Sequence, residues 1–143
     1  VVPRTMTFDR IAIEVTTAVA LSVIRLGIYN DGTNQYPGSL VLDAGTIDST
    51  GTGVKPITIS QQLTKGLYWL AALSGHGPGV KHCYQLMPYS FLGLAATNFG
   101  SPQVGWYVAQ TLGALPDPFT AGGTINVEAG TSPLICLRLL SLD

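Results

Sequence analysis

Apolar and polar residues alternate along much of the chain. In residues 8–15, Ile11, Ile13 and Val15 are separated by more polar positions, and residues 22–29 repeat the pattern. A period of two residues is the spacing of a β-strand with one buried face. The alternation therefore predicts strands rather than amphipathic helices.

Turn signals rich in Asn, Asp, Gly and Pro separate the apolar segments from one another. The pattern predicts about eight strands, at residues 8–15, 22–29, 40–43, 54–60, 67–73, 105–110, 124–128 and 134–139. Pro56 cannot donate to a neighbouring strand, so its strand lies at a sheet edge or begins after it. The apolar and aromatic composition of 67–73 predicts a central strand. Residues 74–105 lack regularity and predict one long irregular loop, with a short helix near 90–96.

Short strands joined by frequent turns predict an all-β fold. We expect an antiparallel two-sheet β-sandwich with jelly-roll-like connections. The length of 143 residues suits a single domain, residues 1–143, with one hydrophobic core. The chain begins at Val1 without a leader-like segment, which predicts the C-terminal part of a longer protein.

Charge is sparse and nearly balanced. Seven Lys and Arg stand against eight Asp and Glu, a net charge of −1, and the basic residues are scattered. No nucleic-acid partner is expected, because binding to phosphates needs a basic surface. Residues 82–116 carry no charged side chain, but Pro and Gly interrupt them, so membrane insertion is not expected. A charge-poor stretch of this kind suits a subunit interface.

Few residues suggest catalysis or metal binding. The eight acidic residues are spread over strand ends and turns, and the only histidines are His76 and His82. Paired carboxylates or a nucleophile with its base are therefore not expected, and we predict no enzyme activity and no cofactor. Residues 30–34 alternate oxygen ligands but lack an EF-hand pattern, which favours a hairpin turn over a calcium site.

The two cysteines, Cys83 and Cys136, permit a single disulfide pairing. Two small buried thiols are the favoured interpretation. The spacing of Cys83 to the two histidines matches no zinc-binding pattern. No metal site is predicted.

Aromatic rings near polar side chains suggest sugar recognition, because a ring covers the C–H face of a pyranose while amides and hydroxyls bind its edge. Alternation places one of Trp106 and Tyr107 in the core, and Trp69 is also expected there. Loop tyrosines could equally anchor an interface. The candidate glycan contacts are His76, His82, Tyr84, Gln85, Tyr89, Trp106 and Tyr107.

Four segments carry a resemblance to a known family: residues 8–17, 25–31, 36–45 and 66–71. They resemble a β-sandwich domain of tailed-bacteriophage and prophage structural proteins, found in tail fibres, head fibres and related virion appendages. The resemblance covers about residues 7–73, is weaker from 106 to 138 and is absent between these regions. It transfers no catalytic residue.

The resemblance implies a non-enzymatic structural protein on the exterior of a virion, assembled as a homotrimer with other virion proteins. As a tail-fibre or spike domain, it would bind a host cell-surface polysaccharide through loops such as residues 74–89. As a capsid decoration protein, it would clamp neighbouring capsid subunits. Two other classes stay open: a monomeric carbohydrate-binding module of a bacterial surface or secreted protein, and an enzyme with an acid pair or a histidine cluster in one cleft.

Overall fold

The computed structural model describes residues 1–83, 103–129 and 131–142. Two short 3-10 helices, η1 (Thr33–Gln35) and η2 (Phe119–Gly122), accompany the strands. The predicted helix near 90–96 lies outside the described residues. The strands are β1 (Met6–Thr17), β2 (Val23–Asp31), β3 (Pro37–Asp48), β4 (Gly53–Leu63), β5 (Tyr68–Ser74), β6 (Gly79–Val80), β7 (His82–Cys83), β8 (Gln103–Tyr107), β9 (Asn126–Ala129), β10 (Ser132–Pro133) and β11 (Ile135–Leu142).

Two antiparallel sheets form the body of the protein. One has the order β11-β1-β4, with β6 also paired to β1, and the other has the order β3-β2-β5. Two smaller pairs, β7 with β10 and β8 with β9, flank them. The fold is an all-β sandwich, and each of the eight predicted strands is present. The jelly-roll connection stays a prediction.

The core lies between the two main sheets. Alternate residues of β1, including Ile11 and Ile13, pack with Leu26 and Ile28 of β2, and each is at most 2 % exposed. The period of two puts every second side chain of each strand on the same face, so both strands contribute an apolar row. The alternation read from the sequence therefore identified the core.

The sheet β3-β2-β5 is covered on its second face as well. Tyr29 of β2 is fully buried there and packs with Leu115 and Phe119, which lie between β8 and β9. Trp69 of β5 and Trp106 of β8 pack against the same cluster. The segment 103–125 is thus a third layer, which we call the covering segment.

Two predictions about sheet position have different outcomes. β4 lies at the end of its sheet order, as Pro56 required, although the strand begins before this proline. The prediction of a central strand for residues 67–73 is wrong, because β5 ends the order β3-β2-β5 in the described part of the chain. Its apolar composition arises because the core and the covering segment contact its two faces.

The region predicted as one irregular loop contains short strands. β6 pairs with β1 and β7 pairs with β10, so residues 79–83 join the sheets where the sequence predicted no pairing. Segments of two residues are too short for a periodic pattern.

The prediction of two thiols in place of a disulfide is confirmed, because both cysteines are free. The prediction that they are buried is wrong, because Cys83 is half-buried and Cys136 is exposed. On β11, Cys136 lies between Ile135 and Leu137, which pack against the core. The alternation therefore turns the Cys136 thiol away from the core.

Candidate functional site: an aromatic cleft

A cleft of about 290 Å³ lies where β5, the covering segment and strands β8 to β11 meet. We call it the aromatic cleft. Residues of β5 form one side of the cleft, and residues of β8 and β9 form another. The residues that shape its chemistry are Trp69, Trp106, Tyr107, Phe119, Glu128 and Ser132.

The indole of Trp69 is held by the turn after β2. Its Nε1 donates a hydrogen bond of 2.9 Å to Oδ1 of Asp31, the last residue of that strand. The ring is half-buried, and it lies on the face of β5 turned toward the covering segment. The bond fixes the orientation of the ring and leaves its apolar faces for packing and for the cleft.

The indole of Trp106 is held by the same turn. Its Nε1 donates a hydrogen bond of 2.8 Å to the carbonyl oxygen of Gln35 in η1. The ring also meets Tyr36 edge to face, with centroids 4.6 Å apart and an interplanar angle of 88°. Gln35 has a positive φ of 59°, so this part of the turn adopts the left-handed conformation. The turn thus supplies acceptors to both tryptophans of the cleft.

Tyr107 follows Trp106 in β8 and differs from it in exposure. Tyr107 is 46 % exposed, whereas Trp106 packs against the cluster around Tyr29. The prediction that one of this pair lies in the core is met only in part, because Trp106 is half-buried and packs against the core cluster without belonging to it. Both residues line the aromatic cleft.

Glu128 is the charged residue of the cleft lining within the described part of the chain. It lies on β9 opposite Gly105 of β8 and is half-buried. Burial raises the pKa of its carboxyl above the ordinary value, because removal from water penalises the charged form.

The two histidines lie elsewhere. His76 is exposed in the turn after β5, with a φ of 58°, and does not line the cleft. His82 is half-buried on β7 opposite Pro133, and its Nδ1 lies 3.2 Å from the carbonyl oxygen of Val80. His82 is also outside the cleft lining.

Of the seven predicted contacts, the structure thus brings Trp106 and Tyr107 together. Tyr84, Gln85 and Tyr89 lie outside the described residues. The sequence reasoning missed Trp69 and Glu128. Trp69 was assigned to the core, and Glu128 stood in the sequence as a single acid at the end of the predicted strand 124–128.

Within residues 1–83, 103–129 and 131–142, no group of three or more His, Cys, Asp or Glu is arranged to hold a metal ion. None of the helices in these ranges is both long and apolar enough to cross a membrane.

Comparisons with protein-family models, curated proteins and solved structures find no significant match to this chain.

Proposed function

We propose that this chain is a non-enzymatic glycan-recognition domain on the exterior of a tailed-phage virion, as part of a tail fibre or spike. The observation that carries the proposal is that Trp69 and Trp106, each fixed through its indole N–H, line one cleft together with the half-exposed Tyr107. Rigid aromatic faces in a concave site bind the C–H faces of sugar rings at low entropic cost.

The acidic content of the cleft supports a binding role over glycoside hydrolysis. Such hydrolysis generally uses two carboxyl groups that flank the scissile bond. Among the described residues that line the cleft, Glu128 is the one acid. A single carboxylate can accept hydrogen bonds from a sugar, but it lacks the partner that a hydrolase mechanism needs.

Two observations support the virion location and the homotrimer: the resemblance of residues 7–73 to phage structural domains, and exposed apolar side chains on β11. Leu139, Leu140 and Leu142 of β11 are 43, 62 and 53 % exposed. Leu140 and Leu142 share the face of β11 turned away from the core, and β11 ends its sheet order in the described residues. Exposed apolar side chains on such a strand support contact with another subunit. Capsid decoration would use the same surface and would not need the cleft.

Binding of oligosaccharides to the native chain tests glycan recognition. We expect Tyr107→Ala and Trp106→Phe each to weaken binding by about 1 kcal/mol, or roughly fivefold, because each reduces the aromatic surface. Val54→Ala, which changes an exposed apolar side chain outside the cleft lining, is the control. Equal binding by all variants, with unchanged melting temperatures, would contradict the role of the cleft.

The native mass separates the virion domain from the alternative of a bacterial carbohydrate-binding module. A mass near three times 15.0 kDa, measured by light scattering after size exclusion, is expected for the homotrimer. A monomer that binds sugar would instead favour the module.

A further inference from the structure

We infer that the aromatic cleft selects sugars by charge: it binds neutral and amino-bearing sugars and excludes acidic ones, with Glu128 as the specificity-determining residue. This inference rests on the proposed glycan-recognition function and names the class of sugar.

The walls of the cleft contain no cation to receive an acidic sugar. The described lining residues include no Lys, Arg or His. Moreover, the sequence has no Lys or Arg between Lys81 and Arg138, so neither the covering segment nor β8 to β10 can supply one. A sugar carboxylate or sulfate placed in the cleft would lose hydration without a compensating positive charge, which is strongly unfavourable.

The cleft has a polar corner around Gly105. A Cβ atom at this position would lie 3.9 Å from Oγ of Ser132 and 4.0 Å from Cβ of Glu128. The absence of a side chain at Gly105 therefore leaves this face of β8 open beside Ser132 and Glu128. Strand alternation places Tyr107 on the same face, so a sugar ring stacked on Tyr107 can place a substituent in this corner.

The Glu128 carboxylate is available to a ligand. Among the described residues it takes part in no hydrogen bond and no ion pair, although it is half-buried. Partial burial removes some of the hydrogen bonds that a carboxylate makes with water. A ligand donor that replaces those hydrogen bonds therefore binds favourably to the carboxylate. Sugar hydroxyls, acetamido N–H groups and above all protonated amines are such donors, whereas acidic substituents repel it.

The test is calorimetric titration of the native chain with three probes of equal length at one ionic strength: a chitosan oligosaccharide, its N-acetylated counterpart and an oligogalacturonate. We expect the amino sugar to bind at least as tightly as the neutral one, and the acidic oligosaccharide not to bind. Glu128→Gln keeps the shape of the side chain and should weaken amino-sugar binding about tenfold, while neutral binding changes little.

Glu14→Gln is the matched control, because it makes the same chemical change on β1 outside the aromatic cleft. It should leave the order of the three probes unchanged. Binding of the acidic oligosaccharide as tightly as the neutral one, or an unaltered preference in Glu128→Gln, would overturn the charge selection while glycan recognition stands. Failure of all three probes to bind would overturn both.

Discussion

The hydroxyl of Tyr29 donates a hydrogen bond of 2.8 Å to the carbonyl oxygen of Pro116. It joins the fully buried Tyr29 of β2 to the covering segment, 87 residues along the chain. Two further bonds act in parallel: Leu115 N donates to Asp43, and Leu40 N donates to Asp117. These bonds hold the covering segment on the sheet, and with it the wall of the aromatic cleft.

Tyr29→Phe should lower the free energy of unfolding by about 1 to 2 kcal/mol, because a buried hydrogen bond to the Pro116 carbonyl is lost while the ring is kept. Tyr68→Phe is the control, since the Tyr68 hydroxyl makes an exposed contact of 3.3 Å with Thr64. Urea unfolding of both variants measures the difference. Equal stabilities would mean that the Tyr29 bond contributes nothing.

The Tyr29 hydroxyl should ionise at a higher pH than an ordinary tyrosine hydroxyl. Burial, followed by the charges of Asp43 and Asp117, raises the pKa of its hydroxyl from 10.0 to about 12. The folded state therefore retains this proton at a pH where the unfolded chain has lost it, so stability falls as pH rises through this window. Phenolate absorbance should show one late titration step, which Tyr29→Phe removes.

Gly27 of β2 allows the covering segment to approach closely. A Cβ atom here would lie 2.2 Å from Cδ1 of Leu115 and 2.7 Å from the carbonyl oxygen of Leu42. Gly27→Ala should therefore cost about 1 to 3 kcal/mol, because side chain and backbone must both shift. The control is Gly113→Ala, where the nearest atom is a carbonyl oxygen at 3.8 Å. Thermal unfolding distinguishes them, and equal losses would contradict the close approach.

The strands were predictable because a local signal specifies them. In β1 and β2, Ile11, Ile13, Leu26 and Ile28 repeat every second residue, and the strand geometry turns that repeat into a buried face. The sandwich is the simplest arrangement that buries both faces, because each sheet then covers the apolar face of the other.

The cleft was only partly predictable, because it depends on contacts distant in sequence. Trp106 and Gln35 are 71 residues apart, and Trp69 and Asp31 are 38 apart. The alternation of apolar and polar residues indicates which residues share a face of a strand. It does not indicate which part of the chain packs against that face. The covering segment gives β5 two packed faces, and this pattern resembles that of a central strand.

Asp43→Asn should destabilise the protein by about 1 to 3 kcal/mol at neutral pH. Oδ2 of Asp43 accepts from Arg25 at 2.6 Å and from Leu115 N at 3.2 Å, and an amide nitrogen in its place could not accept from both. Glu14→Gln, which removes a carboxylate from β1, should leave stability nearly unchanged.

The effect of Asp43→Asn should diminish in acid. Burial raises the pKa of Asp43, but hydrogen bonds from Gly45 N, Leu115 N and Arg25 outweigh it, and the net pKa lies below 3.8. The stabilisation is thus complete above the unfolded value and is lost as pH falls through the folded one. Urea titrations across this range measure it, and a difference independent of pH would argue against the ionised carboxylate.

The ionisation of Glu128 should change stability with pH in the direction opposite to that of Asp43. Because burial raises its pKa above 4.5, the folded protein holds this proton more tightly than the unfolded chain, and stability falls as pH rises from below that value to neutrality. Glu128→Gln removes the ionisation, so the variant should gain stability relative to the wild type over that range, while it loses preference for amino sugars. Residues of binding sites commonly lower the stability of the folded protein while they provide its function. If the free energy of unfolding depends on pH in the same way in the wild type and in Glu128→Gln, the Glu128 carboxylate is fully hydrated in the folded protein. A ligand donor would then have no hydrogen bonds to water to replace at this carboxylate.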